Sequence, residues 1–428
     1  MSLSRIARAD RIAQLDVLRG IAILFILFMN IQYMGDLSDP EYLPQRISWT
    51  GFDQAAWWVN RLLDGTQRGL LEMLFGAGVL IMARHAMTPD GPVAVADLHM
   101  RRNMWLMVFG IAHGLVLLWP GDILFSYGTA ALLVFPFRLL RVRWLLAIGI
   151  AINALLLVPS AIDYAERRAL VAEAEEAQAV VTAGDRPTAV QAEALAKWRR
   201  VQAEVTTADP AALAKATADV RSGWPRFIAS QQKLWVIVQF TQIGIYFENI
   251  IEAFGTMLIG MALFKTGIIQ GRASRRTYWA LLAAGYGIGL ALRVPATIAA
   301  LRFDALPDFG VVGEELARLP LVIGHIAAVA LTLRSTSGGR LLAPLAAPGR
   351  MPMTVYFSAS IAAVILFGPP MALWGRLGFG ALFTIAVAII VVQVAVANLW
   401  LRRFETGPAE WLWKSLTYAR MQPFRRTG

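Results

Sequence analysis

The stretch LDVLRGIAILFILFMNIQYM, residues 15–34, carries only two charged side chains, Asp16 and Arg19, and both lie near its start. A helix of about 20 apolar residues crosses the hydrocarbon core of a bilayer. These residues are therefore predicted to form a membrane-spanning helix. Basic residues precede them, as in a signal sequence, but no small-residue cleavage site follows, so we expect a retained first span.

The rest of the chain has the composition of a membrane protein. Of its 428 residues, 57% are hydrophobic and 16% are charged, and its mean hydropathy is +0.54. Soluble domains have about 45–50% apolar and about 25% charged residues. The chain contains no cysteine, which excludes disulfides, thiolate nucleophiles and iron–sulfur clusters. Its net charge of +11 fits the basic cytoplasmic loops of membrane proteins, so we expect no nucleic-acid partner.

Apolar stretches of about 17–25 residues predict an all-α, polytopic membrane bundle of about ten transmembrane helices. The predicted spans are residues 17–34, 69–84, 103–119, 122–138, 143–162, 248–266, 277–299, 318–334, 352–374 and 379–401. The third and fourth spans are joined by Trp119-Pro-Gly-Asp122, which is typical of a turn.

Lys and Arg are concentrated in alternate loops, and this set of loops includes both ends of the chain. Its members include Arg5, Arg8, Arg11, Arg84, Arg101, Arg102, Arg138, Arg141, Arg143, Lys265, Arg272, Arg334, Arg340, Arg402 and Arg403. The opposite loops are poorer in basic residues and often acidic, as in residues 36–41 and 304–315. Both termini are therefore predicted to be cytoplasmic.

Residues 163–232 interrupt the pattern and separate a bundle of five predicted spans, residues 1–162, from a second bundle of five, residues 233–428. The segment is rich in Ala, Glu, Gln and Arg and is broken at residues 184–187, which predicts a soluble helical hairpin. By the span count this hairpin is extracytoplasmic. It either caps a site on that side or is an exposed excursion.

Charged groups in a bilayer core cost about 2.5–3.5 kcal/mol each or more, so the intramembrane ones are candidate site residues. Asp16 and Arg19 lie on one face at the cytoplasmic end of the first span. Arg19 can hold the phosphates of a bulky anionic co-substrate while Asp16 orients it, or the two can form an ion pair that anchors the helix.

A second group lies towards the outer side of the predicted bundle. It consists of Asn30, Arg68, Glu72, His113, Asp122, Glu248, Glu252 and Arg293. A neutral His113 beside Asp122 or Glu72 can act as a general base, so these three are candidate catalytic residues. The alternative is a histidine that only bonds one helix to another. The other five are candidate substrate-binding residues. No metal-ligand spacing occurs in the sequence, so we expect no metal.

Five segments resemble the YeiB-like bacterial multipass membrane proteins. They are residues 15–22, 70–78, 113–124, 349–360 and 407–418. The resemblance covers nearly the whole chain except the predicted hairpin, and it implies a location in the bacterial inner (plasma) membrane.

The opening Asp-x-x-Arg-Gly helix is also distantly similar to that of transmembrane acyltransferases such as heparan glucosaminide acetyltransferase. This similarity implies cytoplasmic acyl-CoA as co-substrate, with Asp16 and Arg19 bordering its entrance. It implies that His113 is the base or a transient acyl carrier, and that Arg68 and the outer carboxylates hold a sugar or lipid-linked acceptor. The loop after the first span has no histidine, where some of these enzymes carry theirs.

Three hypotheses follow from these residues. The leading one is a membrane acyltransferase that moves an acyl group from acyl-CoA to a hydroxyl or amine of a small-molecule or lipid-linked acceptor. The second is a transporter or flippase for a small solute or lipid-linked intermediate, with Glu72, Glu252, His113 and Arg293 along a proton-linked pathway. The third is a membrane scaffold whose hairpin recruits a partner. Contact with membrane lipid is expected in all three, and a homodimer is left open.

Overall fold

The computed structural model describes residues 12–35, 51–83, 93–206, 210–241, 243–302 and 304–426. Within these ranges every regular element is a helix, and the one β-type contact is an isolated bridge between Phe404 and Arg425. The all-α class is confirmed. The basic residues at positions 5, 8, 11 and 84, and the acidic loop at 36–41, lie outside the described residues.

The first half of the chain contains eight described helices. They are α1 Ala13–Gly35, α2 Gly51–Leu63, α3 Thr66–Met82, α4 Val93–Leu115, α5 Leu124–Val134, α6 Val142–Leu155, α7 Val158–Thr182 and α8 Ala189–Thr206. A 3-10 turn, Phe135–Leu139, extends α5. The predicted turn between the third and fourth spans is confirmed, because α4 ends before it and α5 begins after it.

Ten further helices follow in the described chain. They are α9 Pro210–Arg221, α10 Trp224–Val236, α11 Ile243–Lys265, α12 Arg275–Ala300, α13 Gly310–Leu333, α14 Thr336–Leu342, α15 Ala346–Arg350, α16 Pro352–Phe367, α17 Phe379–Arg403 and α18 Pro408–Thr417. A π turn, Ile237–Thr241, links α10 to α11, and a 3-10 turn, Ala343–Leu345, links α14 to α15.

Among the described residues, five helical segments are long and apolar enough to cross a membrane. They are Ala13–Gly35, Val142–Thr182, Arg275–Ala300, Val312–Leu333 and Phe379–Arg403. A sixth is obtained if Thr336–Arg350 and Pro352–Phe367, bent by 82°, form one span. These helices support a multipass membrane protein. Each of the ten predicted spans overlaps a helix, but their number stays a prediction.

Helix α1 is the centre of the bundle. In the most apolar 18-residue stretch of α1, 67% of the residues are buried inside the protein, compared with 17% in the corresponding stretch of Val142–Thr182. It packs against α3, α13, α15, α16 and α17. The first predicted membrane span is thus the helix around which the described helices assemble.

Glycines allow the closest helix crossings. A Cβ added to Gly20 of α1 would lie 1.8 Å from the carbonyl oxygen of Leu345, and one added to Gly349 would lie 1.8 Å from the carbonyl oxygen of Asp16. Helices α3 and α11 cross in the same way, with Gly76 and Gly260 each against the partner's backbone. Small residues that let backbones approach are the usual basis of helix association in membranes.

The region around the predicted hairpin is also helical. The segment Val142–Thr182 has 41 residues, so at 1.5 Å per residue it is about 60 Å long, twice the thickness of a hydrocarbon core. Its distal half, α7, packs against α8 through Ala174, Ala177 and Leu195. The extracytoplasmic position of this pair stays a prediction.

Gly20→Ala is expected to destabilise the protein by about 1–3 kcal/mol, because the added methyl group displaces the backbone around Leu345. Gly287→Ala is the matched control, since nothing lies within 4 Å of its added Cβ. Thermal unfolding in detergent, followed by tryptophan fluorescence, measures both. Wild-type stability of Gly20→Ala would contradict the close approach of α1 to the 345–349 segment.

Candidate functional site

A chain of hydrogen bonds joins Asp122, His113 and Ser360, and we call it the Asp–His–Ser chain. The Nδ1 atom of His113 lies 2.8 Å from Oδ1 of Asp122, and its Nε2 atom lies 2.8 Å from the Ser360 hydroxyl. A carboxylate only accepts hydrogen bonds, so Nδ1–H donates to Asp122 and Nε2 accepts from Ser360. All three side chains are buried. This is the order of groups found in serine-dependent acyl transfer.

Aromatic rings hold the imidazole in this position. The ring centroids of Tyr356 and Phe357 lie 4.6 and 4.9 Å from that of His113. The Tyr356 hydroxyl accepts a hydrogen bond from Trp119 Nε1 and donates to the carbonyl oxygen of Gly121. The turn before α5 and the start of α16 are therefore fixed against each other beside His113.

Asp122 is itself anchored by the backbone that follows it. Its Oδ2 atom accepts a hydrogen bond from the amide of Phe125 at 3.0 Å, in the first turn of α5, and its carbonyl oxygen accepts one from Gln239. A carboxylate at a helix N-terminus is stabilised by the free amides there. Asp122 therefore keeps one oxygen for the helix and one for His113.

Ser360 was not among the candidate catalytic residues, because it is 247 positions from His113 in the sequence. A signal was nevertheless present. Ser360 lies four residues after Tyr356 on α16, hence on the same helix face, and both belong to a segment of the YeiB-like pattern.

A separate charge cluster lies between α3, α11 and α13, and consists of Arg68, Glu72, Glu252, Glu315 and Arg318. Arg318 lies 2.7 Å from Glu252 and 3.4 Å from Glu72, and Arg68 lies 3.1 Å from Glu252. The side chains of Arg318 and Glu72 are only 3% and 1% exposed. Glu315, which is half-exposed, reaches Arg318 from the next turn of α13.

Glu72 is therefore not the acid that orients His113. Its carboxylate accepts a hydrogen bond from the hydroxyl of Tyr127, on α5, and Arg318 also donates to Asn153 on α6. The charge cluster thus joins three helices by pairing opposite charges, and hydrogen bonds with Tyr127 and Asn153 connect it to two more. Sequence reasoning missed Arg318, because it is the first residue of a predicted span and resembles an interfacial arginine.

The remaining candidates of the outer group do not meet in one place. Arg293 is buried and donates to the carbonyl oxygens of Arg61 and Asp64, so its guanidinium neutralises the C-terminal end of α2. Asn30 is half-buried near the end of α1, and Glu248 is exposed in the first turns of α11. The outer group of candidate residues is thus divided among separate contacts.

The N-terminal end of α1 carries a basic site, formed by Arg19 and Arg102. Arg19 lies 3.3 Å from Asp16 and donates to the carbonyl oxygen of Gly349, while its side chain stays 28% exposed. Arg102, whose guanidinium covers the ring of Trp413, is close enough for the two cations to repel. Burial, and then the charge of Arg19, lowers the pKa of Arg102 to about 10. Two neighbouring guanidiniums favour an anionic ligand.

The start of α16, which carries Ser360, is fixed by reciprocal caps. Glu410 accepts hydrogen bonds from the amides of Met353 and Thr354 and from the Thr354 hydroxyl. The same hydroxyl accepts one from the amide of Ala409 at the start of α18. Burial raises the pKa of the Glu410 carboxyl, and the donors act in the opposite direction. Glu410 of α18 thus caps the N-terminus of α16, and Thr354 of α16 caps the N-terminus of α18.

Comparison with known proteins gives a family without an assigned activity. Residues 263–420 match the family described as "Protein of unknown function (DUF418)". This region includes Ser360 and Glu410, whereas His113 and Asp122 precede it. No solved structure matches the chain.

Two relatives match nearly the full length. The chain is 27% identical over 434 residues to "Uncharacterized protein YxaH" of Bacillus subtilis (strain 168), which covers 97% of this chain and 96% of the relative. It is 27% identical over 424 residues to "Uncharacterized protein YeiB" of Escherichia coli (strain K12), with 95% and 96% covered. The resemblance to a YeiB-like family is confirmed.

Glu252→Ala is expected to destabilise the protein by about 3–5 kcal/mol, because it leaves the buried guanidinium of Arg318 and the half-buried one of Arg68 with too few acids. The control is Asp97→Ala, which breaks the exposed pair of Asp97 and Arg101 and is expected to cost less than about 1 kcal/mol. Thermal unfolding in detergent compares the two. Equal losses of stability would contradict the interior position of the charge cluster.

Proposed function

From its YeiB-like relationship and the Asp–His–Ser chain, we propose that this membrane protein transfers an acyl group from acyl-CoA to a hydroxyl or amine acceptor, with Ser360 as the transient acyl carrier. The observation that carries the proposal is the pair of 2.8 Å contacts on the two ring nitrogens of His113. A serine hydroxyl is a weak nucleophile until an adjacent base takes its proton. His113 is in the position of that base, and Asp122 fixes its tautomer.

The proposed reaction has two steps. In the first, Ser360 Oγ attacks the thioester carbonyl carbon while His113 Nε2 takes the hydroxyl proton. The carbon–sulfur bond breaks, and the departing thiolate takes that proton to form CoA. In the second, the acceptor attacks the serine ester, His113 takes the acceptor's proton, and Ser360 regains it on leaving. The products are CoA and the acylated acceptor, with the protein unchanged.

In the proposed arrangement, acyl-CoA and the acceptor reach Ser360 from opposite ends of α16. Gly349 packs against the start of α1 and Phe367 packs against Gly35 at its end, so α16 runs alongside α1. Ser360 is eight residues beyond Pro352, or about 12 Å along α16. The basic site of Arg19 and Arg102 lies at the near end, where it suits the phosphates of CoA. The acceptor then approaches from the other end.

The transporter hypothesis has weaker support. Its four intramembrane groups lie in three different places. Glu72 and Glu252 each pair with Arg318 in the charge cluster. His113 belongs to the Asp–His–Ser chain, and Arg293 caps the end of α2. Transport therefore stays a prediction without one pathway to carry it.

Release of CoA thiol from acetyl-CoA and longer acyl-CoAs tests the proposal in purified protein. The chain has no cysteine, so a thiol reagent detects only CoA. Ser360→Ala and His113→Ala are each expected to lower the rate about 100-fold or more, because each removes a reacting group. Acceptors with hydroxyl and amine groups are supplied in the same assay.

The matched control is Ser358→Ala on the same helix, since the Ser358 hydroxyl donates to the carbonyl oxygen of Val355 and accepts from Gln393 rather than contacting His113. It is expected to keep wild-type turnover. Unchanged release in Ser360→Ala would contradict the carrier role. No release by wild-type protein with any donor and acceptor would contradict acyl transfer from acyl-CoA.

A further inference from the structure

A small pocket adjoins Ser360 on the side towards the end of α1. Its volume is about 30 Å³. One wall is a single face of α16, formed by Ser360 and, at the following helical spacings, Ala363, Val364 and Phe367. The hydroxyl that His113 activates therefore lies at one edge of this pocket, with three apolar side chains beyond it.

The opposite walls are also mainly apolar. They are formed by Tyr33 and Met34 of α1, Leu117, Leu118 and Trp119 of the turn after α4, and Phe227 and Gln231 of α10. Phe227 is 5% exposed, and its ring lies 3.2 Å from a Cβ built on Gly368, directly after α16. Phe227 and Phe367 thus line the pocket at the end away from Ser360.

We infer that this pocket receives the alkyl part of the acyl group on Ser360, and that Phe227 and Phe367 limit it to two or three carbon atoms. The inference rests on the proposed function and adds the substrate class. A space of about 30 Å³ holds about two water-sized groups, which matches an acetyl or propionyl chain. The apolar side chains beside Ser360 match a methyl or ethyl group, and among the described residues no charged side chain lines the pocket to pair with a charged one.

The test uses p-nitrophenyl esters of acetate, butyrate and octanoate, which need neither CoA nor an acceptor. Ser360 Oγ attacks the ester carbonyl, its proton passes to His113, and p-nitrophenolate leaves with the cleaved bond's electron pair. The initial burst of p-nitrophenolate measures acylation, and peptide mass spectrometry locates the acyl group. Wild-type protein is expected to react with the acetyl ester at least about tenfold faster than with the octanoyl ester.

Two substitutions change the pocket in opposite directions. Phe227→Ala opens its end and is expected to raise the octanoyl-to-acetyl rate ratio about tenfold or more. Ala363→Ile fills it and is expected to suppress butyryl transfer further than acetyl transfer. Leu234→Ala, on the exposed side of the same α10, is the control and is expected to keep the wild-type ratio. Melting temperatures verify that each variant is folded.

The outcomes separate the two proposals. Acylation of wild-type Ser360 with a ratio that neither Phe227→Ala nor Ala363→Ile changes would overturn the chain-length inference and leave acyl transfer standing. No adduct on Ser360 from any ester, in wild-type protein or in Phe227→Ala, would overturn both. If Phe227→Ala does not fold, Ala363→Ile decides the inference.

Discussion

The imidazole of His113 has both ring nitrogens engaged inside the helix bundle, one by Asp122 and one by Ser360. These bonds join α4, the turn before α5, and α16. A buried polar group without a partner costs several kcal/mol, so the three side chains hold one another in place. The aromatic contacts of Tyr356 and the caps at the start of α16 fix the same helix from two further directions.

Helix α16 extends from a basic site at its start to a mainly apolar pocket at its end. At its start lie Gly349, Arg19 and Arg102, and the side chain of Arg19, which pairs with Asp16, is 28% exposed. At its end lies the mainly apolar pocket lined by Phe367. In the proposed reaction, Ser360 lies between this basic site and this pocket, which suits a substrate that is anionic at one end and apolar at the other.

The sequence predicted the local features and missed the distant ones. His113 and Asp122 are nine residues apart across a recognisable turn, so their pairing was within reach of sequence reasoning. Ser360 approaches from 247 residues away, and no periodicity encodes that contact. Arg293 was a candidate for substrate binding, yet the structure uses its charge at the end of α2. This use of Arg293 depends on the position of the turn at Gly65, directly after α2, and tertiary packing determines that position.

The helices themselves followed from composition, because apolar length is a local property. How deeply each helix is buried in the bundle did not follow from composition. The first span is the most buried of the five long helices, whereas Val142–Thr182 is similarly apolar and mostly exposed. In a membrane, lipid-facing and protein-facing surfaces are equally apolar, so hydropathy does not distinguish them. Glycines such as Gly20 carry that information instead, through the close approach they allow.

If His113 makes Ser360 a nucleophile, as proposed, covalent labelling of Ser360 detects it. Purified protein treated with a small alkyl fluorophosphonate, which modifies only activated serines, is digested and mapped by mass spectrometry. We expect modification at Ser360 that is lost in His113→Ala and kept in Ser358→Ala. An unmodified Ser360, or labelling that persists at the wild-type rate in His113→Ala, would contradict it.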